Sequence, residues 1–170
     1  WHNTYATTIH AINSCIIKLS KLSKAVPVYR GIAGASLPDA FFTRDEQGVR
    51  GGVELGFSSM TVSLAVAQSY AKLDKADKAS IIVEAMQGMV DRGADVAWLS
   101  QFSHEAEVVY PPLVAVEVEE TRVDEGAVGL RVRMSLNMTS PTLDESKARR
   151  RALLENTCEG ILAELPAEVR

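Results

Sequence analysis

Ser103-His104-Glu105-Ala106-Glu107-Val108-Val109-Tyr110-Pro111-Pro112-Leu113 sets two carboxylates two residues apart at the mouth of an apolar, β-branched run that two prolines end. If residues 105–110 are extended, Glu105 and Glu107 point to one side, because strand side chains alternate with period two. Like charges held that close raise the proton affinity of at least one of them. Taken alone, such a pair is most simply a solvated strand edge. Two neighbouring carboxyls at a strand entrance are also a common site layout. The rest of the chain separates the two readings.

The chain has 170 residues, 46% hydrophobic and 24% charged, the make-up of one globular domain. A net charge of −4 argues against a nucleic-acid partner. No apolar run approaches the roughly 18–20 residues of a membrane span, so none is expected. The chain opens on Trp1 without an initiator methionine or a signal-peptide pattern, and is expected to be a piece of a longer protein. Cys15 and Cys158 fall in helical apolar patterns and read as buried free thiols rather than a disulfide, which favours an intracellular setting. His2, His10 and His104 show no ligand spacing, so no metal is expected.

The outer elements are legible from periodicity. Residues 4–24 read as an amphipathic helix with a stripe of Ile9, Ile12, Ile16 and Leu19, widened by Cys15 and Leu22. Residues 25–31 read as a strand, with Pro27 at its start or on an edge and Arg30-Gly31 at its end. Val53, Leu55 and Phe57 alternate in a strand running to Ser58-Ser59-Met60-Thr61, where Ser and Thr suggest helix N-caps. The helix beyond takes its stripe from Val62, Ala65, Val66, Ser69 and Tyr70. Residues 80–85 form the strongest buried strand, and 95–99 another short extended piece.

A hairpin follows the prolines. Val114, Val116 and Val118 alternate with Ala115, Glu117 and Glu119; Val128, Leu130, Val132 and Met134 alternate with Gly129, Arg131, Arg133 and Ser135. The acidic row is expected to face the basic one across a turn at 124–126. Thr142-Leu143-Asp144-Glu145 has capping-box form and opens a last helix striped by Leu143, Leu154, Cys158, Ile161 and Leu165. Helix, short strands, hairpin and helix in that order predict an α+β fold.

Arg30, Ser59 with Thr61, and Glu105 with Glu107 therefore stand in sequence near three strand ends. Val28-Tyr29-Arg30-Gly31, then Gly56-Phe57-Ser58-Ser59-Met60-Thr61, then Glu105-Ala106-Glu107-Val108 running into Pro111-Pro112, resemble the Arg-Ser-Glu type of mono-ADP-ribosyltransferase, and most closely its eukaryotic arginine-directed branch. The resemblance covers about residues 4–135, and its three motifs with their intervening lengths are jointly specific. Met60 departs from the Thr or Ser usual at that position, while the serine before it, Ser59, is kept.

The resemblance implies an ADP-ribosyltransferase fold, a split mixed or antiparallel β-sheet core flanked by helices. It implies a catalytic domain over 1–140, with 141–170 a C-terminal helix packed on it or appended. It implies NAD as the substrate, no metal, and a protein or small-molecule arginine acceptor. Glu107 would meet the ribose 2′-hydroxyl and stabilise an oxocarbenium-like state, akin to that of glycoside hydrolysis. Ser59 would hold Glu107, and Thr61 belongs to the same NAD-binding motif. Arg30 would take the diphosphate, and Gly31 would offer backbone groups to the nicotinamide carboxamide. Glu105 would orient and help deprotonate a guanidinium, and Phe102 would contact the acceptor. The polymerase-type branch has His where this chain has Arg30, so polymer formation is not expected. An NAD glycohydrolase with water as acceptor, and a non-catalytic NAD-binding module, share the scaffold and remain alternatives.

Overall fold

The computed structural model describes residues 4–72, 80–124, 127–136 and 143–164. The chain divides into two units, Trp1–Met138 and Thr139–Arg170. The first holds helix α1 (Ala6–Ser20), strands β1 (Pro27–Ile32), β2 (Gly51–Glu54) and β3 (Ser58–Thr61), and helix α2 (Leu64–Ala71). Strands β4 (Ser80–Met86), β5 (Ala94–Asp95), β6 (Glu107–Tyr110), β7 (Val114–Asp124) and β8 (Ala127–Ser135) follow. They form one mixed sheet in the order β2-β7-β8-β4-β1-β3-β6-β5, in which only β4 and β8 run parallel.

That sheet has a weak seam. β1 and β4 pair along six residues, from Pro27↔Met86 to Ile32↔Ile81, whereas β1 and β3 pair only at Tyr29↔Thr61. Five strands lie on one side of the seam and β3, β6 and β5 on the other. Both sides feed one apolar core. Val28 of β1, Met60 of β3, Ile81 and Ala85 of β4, Val108 and Tyr110 of β6, and Leu130 and Val132 of β8 are buried in a single cluster, with Leu37 and Phe41 packed against it. Each wholly buried aliphatic side chain is worth about 1.5–3 kcal/mol. Period-two alternation sends their neighbours Tyr29, Gly31, Ser59, Thr61 and Glu107 to the opposite face.

α2 covers that opposite face beside the seam. A Cβ on Gly31 would stand 1.8 Å from the Ala67 carbonyl oxygen, so glycine there lets helix and strand touch. The buried side of α2 is accordingly Ala67 and Ala71, and Ala65, Ser69 and Tyr70 of the expected stripe are exposed. Small residues against a glycine set the rotation of this helix, not its larger apolar residues. Its N-cap is Ser63, whose Oγ accepts from the Val66 amide; Ser58, Ser59 and Thr61 are strand residues.

Other expectations shift in detail. α1 is shorter than 4–24 and buries Ile16 and Ile17, leaving Ile9, Ile12, Leu22 and Cys15 exposed. The strand expected over 53–59 is broken into β2 and β3, with Leu55 between them 73% exposed. Only Asp95 of the 95–99 stretch is in a strand. Pro27 starts β1, where its missing amide costs no ladder bond inside the sheet. The hairpin pairs Glu117 with Arg133 as expected, but a bulge between Val118 and Glu120 brings Glu120, not Glu119, opposite Arg131.

The second unit holds helix α3, Leu143–Glu164, with Leu154 and Cys158 exposed rather than buried. Thr142, Leu165 and residues 125–126 of the hairpin turn lie outside the described residues. No described helix is long and apolar enough to cross a membrane.

Candidate active site

A cleft of about 320 Å³ opens at the seam, lined by Tyr29, Arg30, Gly31, Ser59, Thr61, Tyr70, Glu105 and Glu107 among others. It exists because β1 and β3 part after a single pair, so their side chains border a gap instead of a ladder. Six of the seven residues singled out from the sequence line it. The seventh, Phe102, is exposed outside the cleft lining, its ring edge-on to His104 with centroids 6.2 Å apart.

The two glutamates reach the cleft by a route the alternation rule does not give. Glu105 is not on the strand: it closes a 3-10 turn, Ser103–Glu105. Ala106 follows in the left-handed region at φ 47°, ψ 53°, and β6 begins only at Glu107. A non-glycine residue in that region costs roughly 1–2 kcal/mol. Glycine would adopt it freely and would hold the turn less firmly.

β3 fixes both ends of this turn. Thr61 is paired with Glu107, and its hydroxyl donates to the Glu105 carbonyl over 2.6 Å while accepting from the Ser63 amide over 3.0 Å. The Val62 amide donates to the Ala106 carbonyl over 3.3 Å. Thr61 thus lines the cleft with its hydroxyl already committed to the backbone. Ser59, one step diagonally across the ladder from Glu107, donates from Oγ to Glu107 Oε1 over 2.5 Å.

Glu105 is held by a residue that the sequence reading placed only in a helix stripe. The Tyr70 phenol donates to Glu105 Oε1 over 2.6 Å. That hydrogen bond, the Glu105 charge, desolvation and the Glu107 charge together push the phenol pKa above its ordinary 10. Nothing local marks Tyr70, since its partner lies 35 residues on. The packing of α2 beside the turn before β6 brings the two together.

Arg30 lies on the core-facing side of β1 yet reaches the cleft. Its Nη1 donates to Ser58 Oγ over 2.7 Å and to Glu54 Oε2 over 3.4 Å. Nη2 and Nε have no partner among the described residues. The guanidinium is therefore anchored at one nitrogen, with donors to spare for an anion. Glu54 and Ser58 hold Arg30 from outside the cleft lining, a role that the sequence does not mark, although Ser58 stands in the motif with Ser59.

No protein-family model matches the sequence, and no curated protein matches it. Solved structures do. The ADP-ribosyltransferase HopU1 of Pseudomonas syringae aligns with a TM-score of 0.57 at 22% identity, over 79% of this chain and 56% of its own. The ADP-ribosyltransferase Vis, a toxin from Vibrio splendidus, was solved with agmatine; it aligns at 0.55 and 19% identity, over 80% and 60%. Exoenzyme S from Pseudomonas aeruginosa, solved with human 14-3-3 protein beta and carba-NAD, aligns at 0.52 and 20% identity, over 80% and 62%. The chain spans about three fifths of the length of these structures. It has the ADP-ribosyltransferase fold, α+β on a mixed eight-stranded sheet.

Proposed function

We propose that this chain carries a mono-ADP-ribosyltransferase site that moves ADP-ribose from NAD to a guanidino acceptor, with release of nicotinamide. The observation that carries this reading is the Ser59–Glu107 hydrogen bond at the seam of an ADP-ribosyltransferase fold. A neutral donor fixes the carboxylate without neutralising it, leaving Glu107 a full negative charge for the cation-like ribose of the transition state.

The remaining residues divide the work. Arg30, anchored by Ser58 and Glu54, binds the diphosphate through its unused donors. Gly31 lines the cleft and lets α2 seat on β1. As the C–N bond between ribose and nicotinamide breaks, nicotinamide leaves with the bonding pair. A guanidino nitrogen then bonds to the same ribose carbon and gives its proton to Glu105. A cationic acceptor suits a cleft with two carboxylates and no ion-pair partner for either among the described residues. The agmatine complex of Vis and the carba-NAD complex of exoenzyme S lend support by analogy of fold.

The acceptor assignment is tested by product partition. With NAD and agmatine, wild-type protein is expected to yield ADP-ribosyl-agmatine in preference to free ADP-ribose. Glu105→Gln should lower that ratio at least about tenfold. An unchanged ratio removes Glu105 from the acceptor site. Free ADP-ribose as the sole wild-type product makes the protein a glycohydrolase.

A further inference from the structure

The acceptor glutamate is pinned at two points by two different elements. Thr61 of β3 holds its backbone carbonyl, and Tyr70 of α2 holds its carboxylate at Oε1. Oε2 has no partner among the described residues. The choice of a phenol has a consequence. A lysine or arginine at this place would orient Glu105 equally well, but would cancel the charge that a guanidinium needs. The phenol stays protonated and neutral, because its proton is held by the very carboxylate it orients.

We propose that Tyr70 is the positioning residue of the acceptor subsite, fixing one oxygen of Glu105 so that the carboxylate meets a guanidinium in one rotamer and at full charge. The proposal rests on the acceptor role given to Glu105 above. Its geometry is set by α2, whose contact with Gly31 through Ala67 fixes the helix against β1 and so places Tyr70 opposite the turn.

The test is a double-mutant cycle on agmatine binding, read by NMR titration for wild type, Tyr70→Phe, Glu105→Gln and the double variant. Phenylalanine keeps the ring and removes only the donor. Tyr70→Phe is expected to weaken agmatine binding about tenfold in the wild-type background and less than about twofold beside Glu105→Gln. In turnover with NAD it should raise KM for agmatine more than it lowers kcat. As a direct check, tyrosinate absorbance should show a phenol that titrates earlier in Glu105→Gln than in wild type.

Equal affinity in wild type and Tyr70→Phe overturns the proposal, as does a wild type that binds no agmatine. The same loss in both backgrounds also overturns it, and makes Tyr70 a packing residue of α2. If the coupling appears but wild-type protein releases no nicotinamide from NAD, the transferase reading fails while the placement of Tyr70 stands.

Discussion

Carboxylates meet two fates in this molecule. In the β7–β8 hairpin, Glu117 pairs with Arg133, and Glu120 pairs with Arg131 and Arg122. In the cleft, Glu107 and Glu105 are held by the hydroxyls of Ser59 and Tyr70. Both arrangements orient an acid, and only the first neutralises it. An ion-paired glutamate on an exposed strand has its charge answered within the fold and contributes little beyond register. A glutamate oriented by neutral donors keeps a charge that the fold does not answer. What separates the hairpin carboxylates from the cleft pair is the charge of the partner.

The sharpest way to break this contrast is to disturb the cleft while leaving the hairpin alone. Gly31→Ala drives a Cβ to within 1.8 Å of the Ala67 carbonyl oxygen, which no rotamer change relieves. We expect a loss of about 3 kcal/mol in stability from this overpacking, and a fall of ~10 °C in Tm by thermal denaturation. The displaced α2 should also take Tyr70 away from Glu105. A Tm within ~2 °C of wild type would show that α2 is not seated on β1 as described.

At the other end of the scale stands Glu120→Gln. Arg122 holds the Glu120 carboxyl below its ordinary value near 4.5, against some desolvation. A depressed pKa contributes stability above the unfolded value and loses it as pH falls through the folded one. The variant should therefore melt slightly below wild type at pH 7, by at most ~2 °C, and the gap should close in the acid range below about 4.5. Nicotinamide release should not change. A large effect on turnover would mean that the hairpin charges act on the cleft after all.

The same contrast explains what was legible in the sequence. The hairpin announces itself by eight residues of alternation on one strand, from Val128 to Ser135, and its register follows from matching acidic and basic rows; only the bulge before Glu120 is silent, because one extra residue leaves the pattern intact on either side. The candidate site was legible through motifs near strand ends. Arg30, Ser59, Glu105 and Glu107 do share one cleft, although Glu105 arrives by a 3-10 turn and a left-handed Ala106 rather than by alternation. Tyr70 was not legible, since its hydroxyl finds Glu105 only once α2 is packed beside the turn before β6. Periodicity misplaced burial wherever a small residue set the packing, as at Ala67 on Gly31. It also failed at Leu154 and Cys158, because a helical apolar pattern does not by itself bury a face.

In the proposed reaction Glu107, held by Ser59, carries the transition-state charge. Nicotinamide release from NAD in the presence of agmatine, measured side by side for wild type and Glu107→Gln, tests it most directly. The variant keeps the size and the hydrogen bond of the side chain and removes only its charge. Steady release is expected from wild type, and a loss of at least about a hundredfold in Glu107→Gln, the scale of a main electrostatic stabiliser. Near-normal release by the variant would contradict it.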